Sequence, residues 1–422
     1  MSQERSLRLI IHLSLALTLI PGLALAGSLN PPGAPAGSMV TLDEISTEIG
    51  SAQDPRTPID TLPFNIIESG SYVLISDLTA TGASAGILIG ASDVDIDLNG
   101  FSLLGNSTGT NGVEAMLATP EHSNIVIHDG TIRDWTGKGI SLGSHDFVTL
   151  ERVRVIGCGD DGAVLADHGS VIDCTLADNG FYGLFALGNC RVIGTEISGN
   201  YEMGAQVSGE SVVSSCLITG NGVGTDGSGG GVVGGGLALG GASVLENSTI
   251  SGNMGTTGLF YGFGLFTLAS TVQGCTISGN ATIGLLGGSS IIDNVIYNNG
   301  GPTVGGGITT GSAVVSGNSV AQNLGDGINA QGSMITGNAC YDNDDAGITT
   351  GTSGNSLVEN NVCVGNDVGI ESTGSENLIV RNLCLDNTTN DYVAGDGTAL
   401  PQNPGTNFTN GLIPHPWANF EN

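Results

Sequence analysis

V-I-D-C-T-L-A-D-N-G-F-Y-G-L, Val171 to Leu184, is the stretch whose reading decides the fold. It recurs loosely about every 21 residues. Later copies read E-N-S-T-I-S-G-N from Glu246 to Asn253 and Q-G-C-T-I-S-G-N from Gln273 to Asn280. One column carries asparagine almost throughout: Asn106, Asn179, Asn200, Asn221, Asn253, Asn280, Asn299, Asn323, Asn343, Asn366 and Asn387. Trp135 and Cys158 stand in that column in two early copies. Three positions earlier the residue is apolar: Leu176, Ile197, Ile218, Ile250, Ile277 and Ile296, then Cys340, Cys363 and Cys384. Self-similarity at this period marks a repeat architecture, whose units stack to bury one continuous core.

Within each period the apolar runs come in threes. Gly139 to Leu142, Phe147 to Leu150 and Val153 to Val155 make one set, and Ala163 to Leu165, Ser170 to Ile172 and Thr175 to Leu176 make the next. Each run alternates and ends at Gly, Asn or Asp, which is the pattern of short strands joined by tight turns. Three such strands per period describe one triangular coil of a single-stranded parallel β-helix, an all-β solenoid. Gly and β-branched residues stand where an α-solenoid would need helix formers. About thirteen coils are expected between residues 85 and 396.

The flanks read differently. Residues 1–26 combine two arginines with a short apolar run ending Ala24-Leu25-Ala26, the pattern of a secretory signal peptide. Residues 27–61 read as a Pro- and Gly-rich leader, residues 62–84 as an N-terminal cap and residues 397–422 as a C-terminal cap with Trp417 and Phe420 as its plug. Two coils are expanded, by G-T-D-G-S-G-G-G-V-V-G-G-G after Asn221 and by M-G-T-T-G-L-F-Y-G-F-G after Asn253. Insertions in repeat proteins tend to overhang a binding face.

Composition limits the partners. The net charge is −31, with 71 glycines and only 12% charged residues, so basic residues are missing rather than acids dense. Such a chain repels nucleic acid, and no run beyond the signal segment suits membrane insertion. Eight cysteines in an exported chain first suggest disulfides. Register argues otherwise. Cys340, Cys363 and Cys384 would stack about 4.8 Å apart with parallel Cβ vectors, and a disulfide needs its Cβ atoms turned toward each other about 3.8 Å apart. They are expected as a buried thiol stack. Cys174, Cys216 and Cys275 share another column, separated by intervening coils.

D-I-D-L-N-G-F-S-L-L-G at Asp95 to Gly105, with the C-T-I-S-G-N repeats, resembles the right-handed parallel β-helix proteins of the pectate-lyase-like superfamily, in particular secreted bacterial proteins with parallel β-helix repeats. The likeness runs from about Leu62 to the C-terminus. It implies a right-handed helix and a ligand groove along the strand that ends near the asparagine column and the turn after it. It leaves activity open, because lyases, hydrolases, epimerases and plain binding or adhesive proteins share the fold.

Two charged clusters map to that side. The first holds Arg133, Asp134, Lys138, Arg154, Asp160, Asp161, Asp178, Tyr182, Glu196, Tyr201 and Glu202. Lys138 is the only lysine, and four of the seven basic residues beyond residue 26 (Arg133, Lys138, Arg152, Arg154) fall between positions 133 and 154. Carboxylates beside a cation suit proton abstraction next to a uronate or acid/base work at a glycosidic bond. Asp160, Asp161, Arg154, Lys138 and Arg133 are therefore the candidate catalytic set. Asp134, Asp178, Tyr182, Glu196 and Tyr201 are the candidate substrate-binding set, the tyrosines placed to stack on sugar rings. Gly159-Asp160-Asp161-Gly162 also reads as an ordinary tight turn, and the N-T-D, G-H-G and R-I-K motifs of polygalacturonase-type hydrolases are absent.

The second cluster is acidic: Asp326, Asp342, Asp344, Asp345, Asp367 and Asp386. Hard oxygen ligands from adjacent coils suit Ca²⁺, with Asp342, Asp344, Asp345 and Asp367 as the candidate set and no other cofactor required. The sequence thus leads to two expectations: an exported protein engaging an extracellular polysaccharide or cell-surface glycan, as binder or enzyme, or a catalytically silent adhesive rod.

Overall fold

The computed structural model describes residues 54–116, 121–223, 234–255, 262–301, 305–395, 398 and 418–419. The signal and leader segments up to residue 53, residues 224–233 and 256–261 of the two insertions, and the plug residues Trp417 and Phe420 lie outside the described residues. The chain divides into two units, Met1–Pro55 and Arg56–Asn422, and the repeats all belong to the second.

Among the described residues every strand pairing in that second unit is parallel, within a 27-stranded and a 15-stranded sheet. Most coils contribute one strand to the short sheet and two to the long one, and in two early coils the long-sheet pair is a single strand, Ser123–Arg133 and Asp146–Ile156. In the unit coil these are Ala163–Asp167, then Ser170–Ile172 and Thr175–Ala177. The fold is the all-β parallel solenoid that the repeat implies. The ladder starts earlier than the boundary read at residue 85. Phe64–Ile66 pairs with Ile87–Ile89, and Thr57–Ile59 pairs with Tyr72–Leu74, so residues 62–84 form a coil themselves and part of the supposed leader carries a strand. The reason is packing: Ile59, Ile66 and Leu74 fill the same inward columns as later coils and are fully buried. Among the described residues no helix is long and apolar enough to cross a membrane.

Coil corners are set by residues with left-handed backbone, which Gly, Asn and Asp tolerate best. One corner separates the two long-sheet strands and holds Asp129 (φ 59°), Arg152 (52°), Asp173 (51°), Gly194 (61°) and Asn247 (50°) in register. The next ends the second strand and holds Asp134 (60°), Gly157 (68°), Asp178 (55°), Gly199 (64°) and Asp342 (51°).

Inside each corner a side chain turns into the core and satisfies the backbone of the coil before it. The asparagine column behaves in this way from Asn179 to Asn387. Asn179 Nδ2 donates to Asn200 Oδ1 at 3.0 Å, and that oxygen also accepts the Asn179 N–H at 3.1 Å. Cys158 gives its N–H to Asn179 Oδ1 at 3.1 Å and starts the ladder, while Trp135 is buried and its indole N–H reaches Leu103 O at 3.2 Å. Asn106 is exposed with φ 51° and stays outside it. A second ladder runs Cys174, Thr195, Cys216, Ser248, Cys275, Asn294, Asn318, Asn338, Asn361 and Asn382, ending on Asn419. A third links Cys190, Ser211 and Ser243, and later Ser333, Ser356 and Asn377. All eight cysteines are free and buried, and Cys340, Cys363 and Cys384 are register partners, the expected thiol stack.

Candidate functional site

The turn that follows the asparagine column leads each coil into its short-sheet strand. In the coil of Asp160 and Asp161 this turn is held tightly between its neighbours. A Cβ on Gly159 would meet Thr136 O at 2.4 Å, and one on Gly162 would meet Gly183 O at 2.5 Å. Both glycines are required by that close approach, so the two aspartates between them are fixed in place.

Lys138 stands one coil earlier in the column of Asp161, and Tyr182 one coil later. The Lys138 N–H donates to Asn111 Oδ1 at 2.7 Å, and its ammonium group donates to Asp160 Oδ2 at 2.8 Å and to Asp161 Oδ2. Asp161 is 5% exposed, and its second oxygen accepts the Tyr182 N–H at 3.2 Å. Burial pushes the Asp161 carboxyl above the ordinary aspartate range while Lys138 pulls it back. Burial opposes the Lys138 charge, but its two carboxylate partners outweigh that and hold its pKa above the usual lysine value. Asp161 is thus a buried carboxylate whose charge depends on one ammonium group.

Aromatic surface adjoins this ion cluster. The Tyr182 ring lies 4.5 Å from Phe181 and stacks on Phe185 at 5.9 Å, 12° from parallel. Burial first, then the Glu202 and Asp161 charges, raise the Tyr182 phenol pKa. Tyr201 donates its N–H to Asn179 O at 2.9 Å and so sits on the same turn.

The remaining candidates divide differently. Arg154 and Glu196 project from the outer face of the long sheet with Thr175 between them, away from the turn. Arg133 pairs with its sequence neighbour Asp134 at 2.8 Å, both exposed. Asp134 and Asp178 occupy the left-handed corner that ends the second strand. A Cβ on Gly199 would meet Asp178 Oδ1 at 2.4 Å, so the aspartate packs over a glycine of the next coil. Of the five residues read as a catalytic set, the structure brings Lys138, Asp160 and Asp161 together and leaves Arg133 and Arg154 apart from them.

The candidate calcium ligands Asp342, Asp344, Asp345 and Asp367 do not bring their carboxylates into one compact group either. Asp342 is a left-handed corner residue (φ 51°), with its Oδ1 over Gly365. Asp344, Asp345 and Asp367 lie on the later turns, where the Asp367 N–H donates to Asp345 O at 3.1 Å and Asp367 Oδ1 accepts a hydrogen bond from the Thr389 hydroxyl. Among the described residues, the one set of three His, Cys, Asp or Glu side chains with ligand atoms within 4.8 Å of one another is Asp97, His128 and Asp129.

That set was not read from the sequence. Asp97 and His128 are register partners on the outer face of the long sheet. His128 Nδ1 is 2.8 Å from Asp129 Oδ2, and Nε2 is 3.1 Å from Asp95 Oδ1. Arg152 clamps Asp129 with two bonds, at 2.6 and 2.9 Å, and Arg56 pairs with Asp97. Hydrogen bonds from Arg152 and then His128 hold the Asp129 carboxyl far below the usual range. The available signal was the D-I-D of the opening coil followed one register step later by His128-Asp129.

A family model described as the right-handed beta helix region matches residues 261–410. No curated protein matches the sequence. Among solved structures, the chain is similar to the A-module of the Azotobacter vinelandii mannuronan C-5 epimerase AlgE4 (15% identity, 78% of this chain and 90% of that one, TM-score 0.39). It is also similar to the Dettilon tailspike protein (13% identity, 74% and 58%, TM-score 0.39) and to the periplasmic alginate epimerase AlgG (12% identity, 78% and 75%, TM-score 0.39). These likenesses concern the fold.

Proposed function

We propose, from the premise that the chain is a right-handed parallel β-helix, that it is an exported protein which binds a polysaccharide along the turn after the asparagine column. The observation that carries this reading is the adjacency of Lys138, Asp160 and Asp161 to the Phe181, Tyr182 and Phe185 rings on consecutive coils. An ammonium group and two carboxylates offer hydrogen bonds to sugar hydroxyls, and the rings offer flat apolar faces. Register aligns these groups along the solenoid axis, so an extended polymer meets them in series at about 4.8 Å intervals.

Catalysis is the second reading, favoured by one observation: burial raises the Asp161 carboxyl beside a lysine, as a proton-transferring group requires. A rod with adhesive function is the alternative in which this turn is only scaffold.

The test is a panel of uronate-containing and neutral polysaccharides, with and without Ca²⁺, scored for binding and for product release. Binding by the wild type that Tyr182→Ala weakens at least tenfold, with the β-sheet signature retained, supports the reading. Product formation abolished by Asp161→Asn would extend it to an enzyme. Absence of binding across the panel would overturn it.

A further inference from the structure

The outer face of the short sheet carries one side chain per coil in strict register: Val164, Phe185, Gln206, Ala238, Phe266 and Leu286. Ala238 is the short step between Gln206 and Phe266. Above it lies a pocket of about 400 Å³, walled by Met203, Phe263, Phe266 and Leu268, with Gln206 and Ser208 at its polar edge. Phe263 owes its position to Gly235, one coil earlier in the same column, because a Cβ there would meet the Phe263 ring at 2.9 Å. Phe263 and Phe266 meet at 5.8 Å, tilted by 51°. Among the described residues, no ionisable side chain lines this space. A concave apolar site of roughly 300–1,000 Å³ with a few polar groups at one side is the usual form of a small-molecule site.

Its place relative to the ion cluster is set by register. Lys138, Asp161, Tyr182, Met203, Gly235 and Phe263 are consecutive members of one column. A ligand lying along the turn therefore passes from charge, over aromatic rings, into an uncharged apolar hollow.

We infer that the pocket over Ala238 binds an uncharged acyl or alkyl substituent carried by a sugar unit, which makes the protein selective for substituted over bare glycan. The inference rests on the polysaccharide reading above. Complementarity decides the occupant: a bare hydroxylated ring would lose water here for the few bonds that Gln206 and Ser208 supply, whereas a hydrocarbon group gains roughly 25 cal/mol for each Å² it buries.

Calorimetry with n-hexyl β-glucoside and methyl β-glucoside tests it, alongside an O-acetylated polysaccharide and its alkali-deacetylated form. The variant is Ala238→Leu, which fills the pocket from an outward position and leaves the core untouched. A preference of tenfold or more for the hexyl glycoside, unaffected by salt and lost in Ala238→Leu, is the expected result. Equal affinity for the two glucosides, or hexyl binding unchanged in Ala238→Leu, overturns the inference, even where Tyr182→Ala still weakens polysaccharide binding. Hexyl preference without binding of either polysaccharide would overturn the polysaccharide reading and leave the apolar assignment of the pocket standing.

Discussion

Asn221 Oδ1 accepts two hydrogen bonds from Asn200, the backbone N–H at 3.0 Å and the side-chain Nδ2 at 2.9 Å. Asn221 in turn donates to Ile197 O at 3.0 Å and to Asn253 Oδ1 at 3.0 Å. Each rung thus satisfies buried groups of two neighbouring coils. Asn221→Ala removes all of them, at about 1–3 kcal/mol for each orphaned group. The expected loss is about 3–5 kcal/mol in denaturant unfolding. Asn106→Gly, at an exposed left-handed position off the ladder, should stay within about 0.5 kcal/mol of wild type.

The left-handed corner makes a separate prediction for Asp178. At φ 55° a glycine is at ease and a β-branched residue is strained. Asp178→Gly should leave stability and glycan affinity near wild type. Asp178→Val should destabilise by about 1–2 kcal/mol. A Gly variant that folds normally but loses binding would restore Asp178 to the ligand site.

Asp326 links stability to pH. Burial, then the Asp345 carboxylate, push its carboxyl up to about 6. In the unfolded chain an aspartate titrates near about 3.9. Between those values the folded state holds the proton and the unfolded state does not, so this group favours folding at low pH, and the contribution is lost as pH rises through about 6. Asp326→Asn removes the titration. Its stability should change less between about pH 4.5 and pH 7 than that of wild type, measured by urea unfolding at both.

The thiols should be silent in the native state. Burial raises Cys158, Cys174 and Cys275 to about 11 and puts Cys363 well above the ordinary thiol value. Thiolate is the reactive form, so a colourimetric thiol reagent at about pH 8 should label the cysteines only after unfolding. Rapid labelling of folded protein would contradict the stacked, buried placement.

Much of this molecule was legible in its sequence because one column is nearly monotonous. A period of about 21 residues with Asn179, Asn200 and Asn221 in step fixes the coil, and the coil fixes every other register. The second and third ladders escaped notice because Cys, Thr, Ser and Asn alternate in them, and the shared property is a hydrogen-bonding side chain rather than one residue type. Lys138 and the Asp160-Asp161 pair were found because the only lysine lies one coil from a paired acid. Asp134, Asp178 and Asp342 lie at corners for a physical reason that the sequence does not display. Aspartate tolerates the left-handed corner, and in sequence a corner aspartate looks the same as one that meets a ligand. Asp97 and His128 were missed because the coil joining them is longer than the repeat.

The most direct measurement is the affinity of Tyr182→Ala compared with Arg154→Ala for the polysaccharide that the wild type binds. Loss of at least tenfold in the Tyr182 variant, with Arg154→Ala unchanged, is the predicted result. Wild-type affinity in Tyr182→Ala with loss in Arg154→Ala would contradict it and move the site to the outer face of the long sheet.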